Sequence, residues 1–190
     1  MKLLIASNNK HKIDEIKAVL SGKFDTITTL QEVGIECDPE ESGETFLDNA
    51  LIKARAIARY TDCAVLADDT GLCVNALGGL PGVHSARYAG DHDSAANRHK
   101  LLDDMESCSN RTAYFQTVVV LLYPDGTFLT GEGKVEGRIS TYEQGENGFG
   151  YDSIFYCDDL RKTFAQASTA EKLTVSHRSR ALNDLLDKLQ

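Results

Sequence analysis

From Cys63 to Ala67 the chain is apolar without a break, and the next two residues, Asp68 and Asp69, interrupt it with adjacent carboxylates. Such a run predicts a strand buried on both faces of a sheet, ended by the acidic pair, with Thr70 and Gly71 opening a turn. Leu3 to Ala6 reads as a first strand. Ile13, Ile16 and Leu20 then recur at helical spacing between Lys10 and Leu20, with Gly22 as the stop. Phe24 to Thr29 reads as a second strand. Phe46, Ala50, Ala54 and Ile57 share one face of another helix, which leaves Asn49, Lys53 and Arg55 on its other faces.

Further along, Asp93 to Met105 reads as a helix, and Thr112 to Tyr123 and Thr127 to Ile139 read as two long strands of a hairpin around Pro124-Asp125-Gly126. Gly145 to Gly150 reads as a loop and Ser153 to Tyr156 as a short strand. Val175 to Leu189 reads as a terminal helix carrying Leu182, Leu185, Leu186 and Leu189. Helices interleaved with a mixed sheet predict an α/β (mixed α+β) class, as one domain spanning residues 1–190 and long enough to bury a full core.

Composition narrows the function. A formal net charge of −9 argues against nonspecific nucleic-acid binding, which depends on clustered Lys and Arg. The five cysteines are scattered with no C-x-x-C, so reduced and mostly buried thiols are expected rather than a disulfide framework or a thiolate metal site. The apolar run in MKLLIASNNKHK is too short for a signal peptide and no stretch approaches the length of a membrane span, so a cytoplasmic protein without membrane partners is expected.

Four segments could carry chemistry. Adjacent ionised carboxylates at the end of an apolar strand call for a compensating cation or proton, which makes Asp68-Asp69 a candidate Mg²⁺ site. A capped turn with a solvated acid is the other reading. Ser7, Asn8, Asn9, Lys10, His11 and Lys12 lie between a strand and a helix start, where open backbone N–H groups favour an anion, although no P-loop pattern is present. Glu40-Glu41 precedes a helix, either as simple helix-start electrostatics or as a source of a second metal ligand beside Asp69, with Lys53 near the same ion. In Asn147 to Asp152, Phe149 and Tyr151 stand among glycines, as in a pocket for a planar ligand or a bend whose rings fill the core.

Taken in order, SNNKHK, EESGETFLDNALIKA, LADDTGL, LGGLPGVHSARYAG, GFGYD, AEK and SHR resemble the inosine/xanthosine triphosphate pyrophosphatase family, the HAM1 type, over nearly the whole chain. The resemblance implies two lobes around an elongated mixed sheet with flanking helices and a central active-site cleft. It implies a homodimer acting on small-molecule nucleotides. The implied reaction is Mg²⁺-dependent hydrolysis of non-standard purine nucleoside triphosphates (ITP, dITP, XTP) to monophosphate and pyrophosphate.

By motif, Asp69 would be the proton acceptor and a metal ligand, Glu40 the second metal ligand, and Lys53 a further catalytic residue. The residues from Ser7 to Lys12 would hold phosphates, and Thr70 would contact substrate. Phe149, Gly150, Tyr151, Asp152, Lys172, His177 and Arg178 would hold the nucleotide and its base. Lys172 and Arg178 are expected to donate to the 6-oxo group that adenine lacks. Small departures from the family pattern include Ser7 in place of threonine, His11 in place of glycine and Ser153 in place of proline.

Overall fold

Lys2–Ile5 forms strand β1, and Asn9 then caps helix α1 (Lys10–Leu20), its side-chain oxygen accepting from the N–H groups of His11 and Lys12. Strand β2 (Thr26–Thr29) leads into the one-turn helix α2 (Leu30–Val33), where Thr29 and Glu32 cap each other reciprocally. A second reciprocal cap, Thr45 with Asp48, starts α3 (Phe46–Ala58). Next come β3 (Ala64–Val74), two short 3₁₀ turns, α4 (Ser94–Asp104), β4 (Thr112–Leu122) and β5 (Phe128–Ile139). The chain continues through β6 (Phe155–Cys157), β7 (Lys162–Thr163), α5 (Thr169–Val175) and α6 (His177–Asp187). The structure is a computed structural model and describes residues 1–189.

The sheet has seven strands in the order β2-β1-β3-β4-β5-β6-β7. β1 pairs parallel with β2 and with β3, whereas β6 is antiparallel to β5 and to β7. β4 and β5 are neighbours joined by a turn in which Tyr123 N donates to Thr127 O at 2.8 Å, far too short a connection for a parallel crossover. The sheet is therefore mixed, as its sequence pattern predicts.

The chain divides into two compact units. The first comprises Met1–Asp69, Thr117–Gly133 and the chain from Arg178 on; the second comprises Thr70–Gln116 and Lys134–His177. In the first unit, strand residues alternate between two cores. Leu3, Ile5, Ala64, Leu66, Val119 and Leu121 pack with Ile16 and Leu20 of α1 and with Ala181, Leu182 and Leu185 of α6. Leu4, Ala6, Val65, Ala67, Val120 and Leu122 pack with Ala50, Ala54 and Ile57 of α3. The second unit has its own core around Phe115, Phe155, Phe164, Leu101 and Tyr151.

Four expectations are corrected. β3 does not stop at the acidic pair: it continues to Val74, with Asp68, Asp69 and Gly71 buried inside the strand, because both carboxylates find partners there. The terminal helix starts at His177 and not at Val175, which instead ends a separate helix, α5, where Ser176 (ψ 149°) leaves helical geometry. Asn49, assigned to the polar side of α3, is fully buried. The cysteines are all free, but only Cys73 and Cys157 are buried, and Cys37, Cys63 and Cys108 are half-buried.

Candidate active site

Successive strand side chains point to opposite faces, so Asp68 follows Ala64 and Leu66 toward α1 and α6, while Asp69 follows Val65 and Ala67 toward α3. That parity separates the two carboxylates. On its side Asp68 meets Lys12 Nζ at 3.1 Å and Arg178 Nε at 3.3 Å, and Arg178 also pairs with Glu15. Burial alone would raise the Asp68 carboxyl, but Lys12 and Arg178 hold it well below the ordinary carboxylate range. The charge compensation expected of a shared cation is thus supplied to Asp68 by two side chains of the protein.

Asp69 is in a different state. Asn49 Nδ2 donates to its Oδ2 at 3.1 Å, and Lys53 Nζ stands 3.5 Å from its Oδ1. Lys53 also donates to Glu41 Oε1 at 2.7 Å. Burial, with the nearby Glu41 charge adding to it, pushes the Asp69 carboxyl up despite Lys53 and Lys12. Burial disfavours the Lys53 ammonium as well, yet Asp69, Asp68 and Glu41 together raise it above its usual value. The acidic segment is tied to the same point: Gly43 N donates to Asn49 Oδ1 at 2.8 Å. A side chain at Gly43 would sit 2.7 Å from that oxygen, so only glycine lets the segment approach.

The loop from Ser7 to Lys12 already uses several of its own donors. Asn9 N donates to Ser7 Oγ at 3.2 Å, and Asn9 Oδ1 takes the N–H groups of His11 and Lys12. Asn8, Asn9, Lys10 and His11 are exposed and Ser7 is half-buried, whereas Lys12 turns inward to Asp68. Burial lowers the Lys12 ammonium, with Asp68 opposing. Thr70 is half-buried in β3.

The second unit assembles most of the residues expected to hold a base. Lys172 is buried; its Nζ donates to Asp152 Oδ2 at 2.8 Å and lies 4.8 Å from the centre of the half-buried Phe149 ring. The same Asp152 oxygen accepts from Phe149 N at 2.9 Å. His177 is buried and stacks on Phe115, with centroids 4.7 Å apart. Tyr151 is a core residue whose hydroxyl donates to Ser85 O at 2.8 Å, and burial raises its phenol. Gly150 is half-buried.

Arg178 belongs to the first unit, 1% exposed, and its guanidinium, expected on the base, is engaged here with Asp68 and Glu15. Glu40 is exposed, and it is Glu41 whose carboxylate enters the surroundings of Lys53 and Asp69. Sequence reasoning passed over Asn49 and Glu15. Asn49 was detectable as a polar residue one position before Ala50 on the buried face of α3, whereas nothing local marks Glu15.

Asp69 and Glu41 are hard oxygen donors close enough to repel, one of them buried, which is the arrangement a divalent cation relieves. Among the described residues no group of three or more His, Cys, Asp or Glu could hold a metal. The donor set therefore fits Mg²⁺ that completes its shell with water and phosphate oxygens, not an all-protein cage.

Comparison with known proteins matches residues 3–188 to the Ham1 family. A dITP/XTP pyrophosphatase of Leuconostoc mesenteroides is 48% identical over 100% of this chain and 96% of that protein, and one from Clostridium tetani is 43% identical over 99% and 96%. Among solved structures, the Ham1 protein of Staphylococcus aureus aligns over 100% of this chain and 98% of its own, with a TM-score of 0.88 at 41% identity. A HAM1 protein from Coxiella burnetii aligns over the same shares with a TM-score of 0.90 at 37% identity.

Proposed function

The chain belongs to the Ham1 family, and from that premise we propose that it hydrolyses non-standard purine nucleoside triphosphates (ITP, dITP and XTP) to the monophosphate and pyrophosphate. The observation that carries the proposal is the buried Asp69 carboxyl, raised by burial and held by Asn49, with Lys53 bridging it to Glu41. The names of the relatives support the substrate class.

A carboxylate poised above its ordinary range is a better proton acceptor for an attacking water, and the Asn49 amide fixes which oxygen receives the proton. Lys53 and Lys12 both act electrostatically on this carboxylate and would stabilise charge that develops on phosphate oxygens. Asp69 and Glu41, in place of the Glu40 expected by motif, would hold Mg²⁺. When bound, that ion would neutralise phosphate charge and lower the pKa of a bound water. Asp68, kept ionised, orients Lys12 and Arg178.

Phosphate chemistry is assigned to Asp69, Lys53 and Lys12, and base recognition to Phe149 and Lys172. Phe149 offers a ring to stack on a purine, and Lys172, oriented by Asp152, offers an ammonium to a 6-oxo oxygen where adenine presents a donor. A homodimer in the cytoplasm, acting on the free nucleotide pool, completes the reading.

Initial rates with Mg²⁺ on ITP, dITP, XTP, GTP and ATP test it. The expected result is a kcat/KM for ITP and XTP about two orders of magnitude or more above that for ATP. Equal turnover of ATP and ITP would refute the proposed specificity.

A further inference from the structure

Three side chains that the proposed function does not use meet at the segment that carries Phe149. Arg98 of α4 donates from Nε to Glu143 Oε2 at 3.0 Å and from Nη1 to the backbone carbonyl of Gly150 at 2.9 Å. Ser153 Oγ donates to the same Glu143 oxygen at 2.8 Å. Glu143 precedes the segment, and Gly150 and Ser153 lie at its far end, so one guanidinium spans it. A planar fork with donors on two edges suits that task, which a single ammonium cannot perform in fixed geometry. Burial raises the Glu143 carboxyl, but the bonds from Ser153 and Arg98 bring it below its usual range, so it stays charged through neutral pH.

The root of the segment is held otherwise: Gln144 N donates to Ser153 O at 2.8 Å and Asn147 N to Ala165 O at 3.0 Å. The tip turns through Gly148 at φ +79°; Phe149 N donates there to Asp152 Oδ2 at 2.9 Å, and α4 adds the Arg98 bond to Gly150 O. The Ser153 hydroxyl ties the far end of the segment to Glu143 at its start.

We propose that Arg98, with Glu143 and Ser153, is a positioning device for base recognition: it holds the Gly145–Asp152 segment so that Phe149 stays beside Lys172, and so sets nucleotide affinity, not the rate of bond cleavage. The inference rests on the functional reading above. Their bonds run to one another and to the Gly150 carbonyl of the base segment, so their effect belongs in KM.

The test compares Arg98→Ala, Arg98→Lys and Ser153→Ala with the wild type in kcat and KM for ITP, in IMP affinity by calorimetry, and in Tm. Arg98→Ala is expected to raise KM for ITP and Kd for IMP about tenfold, the scale of losing hydrogen bonds from a charged donor, with kcat within about twofold. Arg98→Lys and Ser153→Ala should fall between it and the wild type. Unchanged KM and IMP affinity in folded Arg98→Ala would overturn the proposal. So would a loss of kcat that tracks a loss of folded protein at constant KM. A wild-type protein that binds IMP but hydrolyses no triphosphate would overturn the functional reading alone, with the IMP titrations still deciding the role of Arg98; one that binds no IMP would overturn the role of Arg98.

Discussion

Asp68 and Asp69 differ by one position in the chain and by nearly everything else. The first is an ionised anchor for Lys12 and Arg178; the second is a buried carboxyl raised by desolvation. Asp69→Asn is therefore expected to abolish turnover while leaving Tm unchanged or higher, because it removes a proton acceptor and a buried charge together; steady-state rates and a thermal melt check both. Arg178→Ala has the opposite signature. It takes the guanidinium away from buried Asp68 and Glu15 and should cost about 3–5 kcal/mol in denaturant unfolding, the scale for breaking a buried pair. Lys172→Ala should lower kcat/KM for ITP by about one to two orders of magnitude while changing ATP hydrolysis much less. The division of labour between the two aspartates is legible in sequence once β3 is known to continue, since Asp68 shares parity with Leu66 and Asp69 with Ala67. Their partners are not: Arg178 arrives from 110 positions away, and no local pattern announces that contact.

Most elements follow from periodicity and caps. α1, α4 and the β4–β5 hairpin lie where the spacing of apolar residues puts them. β4 alternates buried and half-buried side chains from Ala113 to Gln116 and is buried continuously from Thr117 on, which mirrors the change from AYFQ to TVVVLL. The start of α5 was written in Ser168-x-x-Glu171, a capping-box pattern, but its end depends on the Ser176 backbone, which has no comparable signature. Glu171 caps α5 and pairs with Lys162 at 2.8 Å, and these hydrogen bonds lower its carboxyl to about 2. A depressed acid stabilises the fold fully above its unfolded value of about 4.3, and that contribution is lost as pH falls from there toward 2. Unfolding midpoints measured across that window should fall less steeply in Glu171→Gln than in the wild type. Gly148→Ala should disturb the base segment specifically: a side chain at φ +79° is strained and would overlap the Asp152 carboxylate that orients Lys172. KM for ITP should rise more than kcat falls.

At the scale of the molecule, each unit contains a complete local arrangement: Asp69, Asn49, Lys53 and Glu41 in one, Phe149, Asp152 and Lys172 in the other. The chain ties the two together covalently, since β3, β4 and β5 each pass from one unit to the other. A net charge of −9 around a cluster containing Lys12 and Lys53 matches a small anionic ligand better than a polyanion. Light scattering should give the mass of a dimer. The central claim, that the chain cleaves between the α and β phosphates, is tested most directly by following ITP hydrolysis with Mg²⁺ by ³¹P NMR. IMP and pyrophosphate appearing in equal amounts, with no orthophosphate, is the predicted result; IDP with orthophosphate, or intact ITP, would contradict it.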